Sequence, residues 1–329
     1  MSSRLTDAFK IPRIEINLPN RLAIAINLGF AKRGRFTVYL NEGDATRLDA
    51  PNLTLHTRDL EGEGRGVIEK WLQSLGVKHV TQLFIAGRAE DRLFHTLNKV
   101  VSEWDNSIDA FITIVPPKGE PPLRVFEALK GIHPGLTKSR SIILLDYELL
   151  WNELMFIDKG IIKQPAEVLG DLIESLFPIL GTERIRKISS LKSKIISPSI
   201  MYNVHASMFT GLQGALNIAE ENSLLKYDRE DVNYVILYLD GTGFEEEPAT
   251  TEHEFRLWLT KFSNLVDADV IYGDSKDREL MVLLMATTRL SDNWYGHLSS
   301  SCRMVEKIVS DPKPALSTLE ILGLRRHEA

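Results

Sequence analysis

The feature that most constrains this chain is a repeated change of period. Short runs rich in β-branched residues alternate with longer stretches whose apolar residues recur at helical spacing. Arg13–Ile16, Arg35–Leu40, Gln82–Ala86, Ala110–Val115 and Ser141–Leu145 read as strands, with amphipathic segments between most of them. Strands separated in this way predict a parallel sheet covered by helices. Pro165–Leu180 begins with proline, is apolar at helical spacing and stops at Gly181, which predicts a long buried helix. The pattern then repeats on a smaller scale. Helix Phe209–Glu221, strand Tyr234–Leu239, turn Asp240–Gly243, helix Glu252–Leu265 and strands Asp269–Tyr272 and Leu280–Thr287 make a second α/β unit. After Leu290 the chain turns polar and Ser-rich, crosses DPKP and reads as a tether ending in a short apolar-basic segment. The expected division is a first domain over 1–160, a central helix and loop over 161–185, a second domain over 186–292 and a tail over 293–329. A length of 329 residues, at ~150 per domain, also gives two cores.

Composition removes several classes of function. The net charge of −6 provides no general field for nucleic-acid phosphates or an anionic membrane. Cys302 is the only cysteine, which rules out an intrachain disulfide, a CxxC redox pair and cysteine-cluster zinc sites. The eight histidines show no HxxxH or HExxH spacing that would put two on one helix face, so no metal site is expected. The start carries no apolar core of signal-peptide length, and no run approaches the ~18 apolar residues of a bilayer span. The expectation is a cytoplasmic protein with no nucleic-acid partner and no direct membrane insertion. No GxSxG elbow or GxxxxGK[ST] loop occurs, and Cys302 is placed in the polar tail, away from any enclosed pocket.

The second unit carries a resemblance to a known family. NSLLKYDREDVNYVILYLDGTG, a helix, and DADVIYGDSKDRELMVLLMATT resemble, in order and spacing, the activation domain of FtsZ. In the first half, RFTVYLNEGDATRLD is similar to that family's second strand and loop, and VTQLFIAG to the strand that ends "ITAG". VPPKGEPPLRVFEALKGI resembles the ribose-side loop, and SIILLDYELL the strand after it. The collinear similarity runs from about Ile11 to Leu290 and implies a divergent tubulin/FtsZ superfamily protein. The implied fold is α/β: a parallel-sheet GTPase-like N-terminal domain, a long central helix and a smaller α/β C-terminal domain.

The departures bear on activity. The family's phosphate grip is built from glycine-rich loops, whose bare N–H groups reach phosphate oxygens where no side chain intervenes. Here the first such loop reads NLPNRLAI, in which Pro19 lacks an N–H, and the second reads GRAEDRLF, which sets Glu90 and Asp91 where phosphates would sit. The acidic loop after the central helix, which serves hydrolysis in a neighbouring subunit, is replaced by GTERIRKISSLK with Arg184, Arg186 and Lys187. A second alignment sets Asp228 and Asp231 of DREDV on that loop, but leaves too short a segment before the following strand.

What the resemblance leaves as a nucleotide site is Glu120 and Arg124, at the four-residue spacing of the ribose-side Glu and Arg, and a nest at Gly62, Gly64 and Gly66 in EGEGRG. The plainer readings are a solvated ion pair at a helix start and a surface turn. No cofactor is expected, GTP or GDP being at most weakly held. TLEILGLRRHEA resembles the FtsZ tail peptide that docks on membrane-tethering division proteins. Leu319, Ile321, Leu322 and Leu324 would be its apolar anchors and Arg325 and Arg326 its charges; the plainer reading is a frayed amphipathic end. Arg184, Arg186 and Lys187 on one face, with Glu90 and Asp91 on the opposite one, would join subunits head to tail, either with copies of the same chain or with an FtsZ-like subunit. The implied function is a cytoskeletal or cell-division filament component, or a modulator of one, that has lost GTP hydrolysis. A polymerising GTPase with a rearranged site, and a nucleotide-free scaffold unrelated to division, are the alternatives.

Overall fold

The computed structural model describes residues 16–25, 35–43, 52–56, 66, 70, 82–103, 108–150, 157–158, 161–163, 165–191, 194–202, 211–241, 248–273, 275 and 279–323. In chain order the elements begin with β1 (Ile16–Ala25), β2 (Arg35–Gly43), β3 (Asn52–His56), β4 (Gln82–Arg88), α1 (Arg92–Ser102) and β5 (Ile108–Val115). They continue with α2 (Pro122–Lys138), β6 (Ser139–Asp146), the two-residue strands β7 (Ile157–Asp158) and β8 (Ile161–Ile162), α3 (Pro165–Ile179), α4 (Thr182–Ser190) and β9 (Ile195–Tyr202). Last come α5 (Gly211–Glu221), β10 (Val232–Asp240), α6 (Pro248–Leu259), β11 (Asp267–Gly273), β12 (Leu280–Thr287), α7 (Asp292–Val305) and α8 (Lys313–Leu322).

The chain forms two compact units: residues 1–143 with 292–329, and residues 144–291. In the first, β5, β4 and β1 are parallel neighbours, as the alternating pattern predicts. β2 and β3 continue the sheet antiparallel, contrary to an all-parallel reading. The connections 26–34 and 44–51 explain this, being shorter than the dozen or so residues a parallel crossover needs. The NLPNRLAI segment is therefore not a loop ahead of a helix. It lies within β1, and its second half, Arg21–Ile24, pairs with both β2 and β4, so the reading of it as a first phosphate loop is corrected.

Helices α1 and α2 meet at a notch made by glycines one turn apart. A Cβ on Gly131 would come 2.2 Å from the His95 ring, and one on Gly135 would come 2.5 Å from Asn98 Oδ1. Phe94 and Phe111 pack beneath with ring centroids 5.3 Å apart. The far side of α2 is covered by α7 and α8, which bury Trp294, Leu298, Cys302, Ala315, Leu319 and Leu322. The segment expected to be a tail from 293 onward is thus, through Gly323, part of the first unit. Its serines and threonines are compatible with helix because the apolar residues keep helical spacing between them. Cys302 lies in this packing, where burial, then the nearby Glu306, pushes its thiol up to about 11.

In the second unit the strand order is β11-β10-β12-β9. β10 and β11 run parallel across α6, whereas β12 is antiparallel to both β10 and β9. Period-2 alternation splits β10 between two faces. Val235, Leu237 and Leu239 join Leu212 and Leu216 of α5, Phe255 and Trp258 of α6, and Met281, Leu283 and Met285 of β12 in one core. α3 touches β10, and its Val168, Leu172 and Leu176 are fully buried, as its sequence pattern predicts.

Candidate nucleotide edge and flanking charges

Because β4 and β5 are parallel, the turns that follow them lie at the same edge of the sheet, the edge where open α/β sheets hold ligands. The Ala89 N–H donates to Ile114 O at 3.0 Å and ties the first turn to the neighbouring strand. The turn runs Arg88, Ala89, Glu90, Asp91 into α1 and is closed by its own side chains. The Glu90 carboxylate folds back onto the Arg88 guanidinium, and Glu90 Oε2 is buried without a hydrogen-bond partner among the described residues. His95 Nε2 donates to Ala89 O at 2.6 Å, which fixes the ring's tautomer. Gly87, which ends the VTQLFIAG run, is glycine for packing, since a Cβ there would come 2.3 Å from the Phe94 ring.

The turn after β5 is set by Glu120 N–H donating to Pro117 O at 3.0 Å. Arg124 Nη1 lies 3.3 Å from Glu120 Oε2, with the arginine side chain 72% exposed. An exposed pair at this helical spacing contributes about 0.3–0.5 kcal/mol. Lys118 Nζ sits 4.9 Å from the centroid of the Trp294 ring, and His297 meets that ring edge-on at 5.8 Å. Burial, then the Lys118 charge, lowers the His297 pKa. The Lys118, Trp294 and His297 grouping was not found by sequence reading, because α7 joins the turn only through tertiary packing. Gly66 is half-buried with open space where a Cβ would stand, while Gly62 and Gly64 lie outside the described residues.

The cations of α4 are largely engaged within the second unit. Arg184 Nε lies 3.1 Å from Asp269 Oδ2, and Lys187 Nζ lies 2.9 Å from Asp267 Oδ2 and 3.4 Å from Asp269 Oδ1. The Tyr234 hydroxyl donates to the same Asp269 carboxylate. Burial alone would push the Asp269 carboxyl up, but Tyr234, Lys187 and Arg184 together hold it below the ordinary aspartate value. Two aspartates of β11 thus hold both of the charges expected at a subunit contact, and both cations keep part of their side chains exposed. Arg186 points outward and is exposed. Glu90, expected on the opposing face, is likewise taken by Arg88, and Asp91 caps the start of α1, its carbonyl accepting from His95 N–H at 3.0 Å.

The residues expected as C-terminal anchors lie partly in α8. Leu319 and Leu322 are buried and Ile321 is half-buried in α8, and the Thr318 hydroxyl donates to Leu129 O at 2.9 Å and lies 3.2 Å from His133 Nδ1. A partner groove would have to take these leucines out of their own core. Leu324, Arg325 and Arg326 lie outside the described residues.

Among the described residues no group of His, Cys, Asp and Glu could hold a metal ion, and no helix is long and apolar enough to cross a membrane. No protein-family model and no curated protein matches the sequence. Solved structures do match. CetZ2 from Haloferax volcanii, solved as a GTPγS-bound protofilament, is 12% identical with a TM-score of 0.55, covering 76% of this chain and 78% of its own. CetZ from Methanosaeta thermophila is 10% identical with a TM-score of 0.58, covering 80% and 78%. The GDP-form protofilaments of TubZ from Bacillus thuringiensis serovar israelensis give 13% identity and a TM-score of 0.51, covering 76% of each chain. The chain has the tubulin/FtsZ fold. Within a tubulin/FtsZ fold, the resemblance sets the phosphate loop at the turn after β4 and the ribose-side loop at the turn after β5. These are the two turns that the parallel pairing brings to one edge.

Proposed function

We propose that this chain is a cytoskeletal filament component or modulator of the tubulin/FtsZ type that does not turn over GTP. The observation that carries the reading is the Arg88–Glu90 ion pair in the turn after β4. A phosphate-binding turn needs bare N–H groups and no competing anion. Here every residue from Arg88 to Arg92 has a side chain, and one of them brings a carboxylate. A triphosphate entering this turn would have to displace Glu90 from Arg88 and then lie beside its charge, which is unfavourable in a partly desolvated site. The cations of α4 support the same reading for the second half of the reaction, because none can act as the base that positions an attacking water.

The filament half of the reading rests on the fold neighbours, two of which were solved as protofilaments. Head-to-tail stacking is a heterologous contact that propagates unless blocked. A chain that stacks in this way without a nucleotide switch is regulated by its partners. Titration calorimetry with GTP and GDP, alongside a phosphate-release assay and sedimentation of the purified protein, tests both halves. The expected result is no micromolar nucleotide binding, phosphate release at background and pelleting that does not depend on nucleotide. GTP-dependent pelleting with steady phosphate release would support the polymerising-GTPase alternative and sink this one.

A further inference from the structure

The sheet of the second unit ends on a strand that has, among the described residues, a partner on one side only. β11 pairs in parallel with β10 over its whole length, and every one of its seven residues is half-buried. A strand with one partner presents N–H and C=O groups of alternate residues along its open edge, a ready template for another strand. Natural edges are commonly blunted by proline, by bulges or by charged side chains such as lysine. β11 has no proline and no lysine, its pairing with β10 shows no register shift, and its two aspartates are held from within by ion pairs with Arg184 and Lys187 and by the Tyr234 hydroxyl.

The side-chain pattern selects the occupant. Ala268, Val270 and Tyr272 form a row that packs against the rim of the core. Asp267, Asp269 and Ile271 alternate on the other face. The midpoint of Asp267–Gly273 is Val270, so a second copy of β11 laid antiparallel in full overlap sets Val270 opposite Val270. In the same register Ala268 faces Tyr272, Asp269 faces Ile271 and Asp267 faces Gly273. The apolar row then continues across the junction on one face. On the other, no aspartate stands directly opposite an aspartate, the arrangement that would be repulsive. Moving the centre one residue back would put Asp269 against Asp269. We infer that the open edge of β11 is a self-association surface, on which two copies of this chain pair antiparallel about Val270 and continue the sheet of the second unit from one molecule to the next. Such a contact is isologous and closes on two copies, unlike the propagating contact of a filament.

Directly opposed residues of an antiparallel pair have Cβ atoms about 4.5–5.5 Å apart, close enough for a disulfide to form with small adjustment. The test is therefore a cysteine placed at the symmetry point of the full-length chain. Val270→Cys is expected to give a covalent dimer under mild oxidation. Ile271→Cys, which faces Asp269 of the other copy, is expected not to, and the native Cys302 is buried. Val270→Lys, which sets two cations face to face, is expected to weaken self-association in sedimentation equilibrium by roughly tenfold or more. Val270→Ile should leave it unchanged. Circular dichroism checks that each variant is folded. A folded Val270→Cys protein that fails to cross-link, or one that cross-links no better than Ile271→Cys, overturns the register. A Val270→Lys protein that associates as the parent does, or a parent that is monomeric at tens of micromolar, overturns the surface itself. None of these readouts depends on nucleotide or on pelleting, so they stand or fall apart from the filament reading.

Discussion

Glu90 and Asp269 are both acids to which packing gives local partners. Glu90 is held by Arg88 in the turn after β4, so Glu90→Gly, which removes the carboxylate and restores a bare backbone, is expected to raise affinity for GTP or inorganic pyrophosphate in titration calorimetry. No gain in affinity would mean that Glu90 does not guard the turn. Asp269 gathers Arg184, Lys187 and the Tyr234 hydroxyl. Because its pKa in the folded chain is depressed, the stability it contributes is fully present above the ordinary aspartate value and is lost as the pH falls through the depressed one. Asp269→Asn is therefore expected to lower unfolding free energy at neutral pH by about 1–3 kcal/mol, and to flatten the acid limb of the stability curve. Urea melts at several pH values check both parts. A loss that persists unchanged below pH 3 would remove the carboxylate's charge from the explanation.

At the scale of elements, α8 is the clearest case of a segment whose role changes with its setting. Its TLEIL sequence suits a docking peptide, and the same leucines close the far side of α2. Leu322→Ala is expected to cost about 2–4 kcal/mol, the usual range for a fully buried leucine, and Thr318→Val about 1–2 kcal/mol through the orphaned Leu129 carbonyl and His133 ring. Thermal denaturation decides between the readings, because an exposed partner-binding peptide would tolerate both changes with no shift in Tm. The β1 segment is a second case. Its Leu-Pro-Asn run falls in a register shift between Ile16 and Arg21, and the residues after it, Arg21–Ala25, pair with strands on both sides. Elements with strong internal periodicity were legible beforehand: α3, β4, β5, β10, β11 and β12 fall within a few residues of their expected spans. β3, β9 and α1 were not singled out. β9 carries Ser-Pro-Ser in its middle, which reads as a breaker until β12 pairs alongside it.

At the scale of the whole chain, two half-buried histidines of the first unit, His133 beside Thr318 and His297 beside Trp294, sit where C-terminal helices meet the rest of that unit. Burial lowers the pKa of each, with Lys118 adding to the effect at His297. The unfolded chain binds these protons more readily than the folded one, so stability is complete above about pH 6.5, the ordinary histidine value, and falls as the pH drops below it. Melting temperature measured from pH 7.5 to pH 5.5 should therefore decline, and His133→Gln with His297→Gln should remove most of the decline. A slope that survives both substitutions would place the titration elsewhere.

Sequence alone was enough for the α/β class, the order of the second unit and the side-chain-bearing turn after β4, because periodicity and residue type act over a few neighbouring positions. It also carried the collinear likeness that led to the tubulin/FtsZ fold. The tertiary structure decided which charges remain available. Arg184 and Lys187 find Asp269 85 and 82 residues further along the chain, and no local pattern encodes that meeting. It likewise decided that α7 and α8 belong to the first unit and not to a tether, since whether an amphipathic segment docks at home or on a partner depends on the surface α2 offers it.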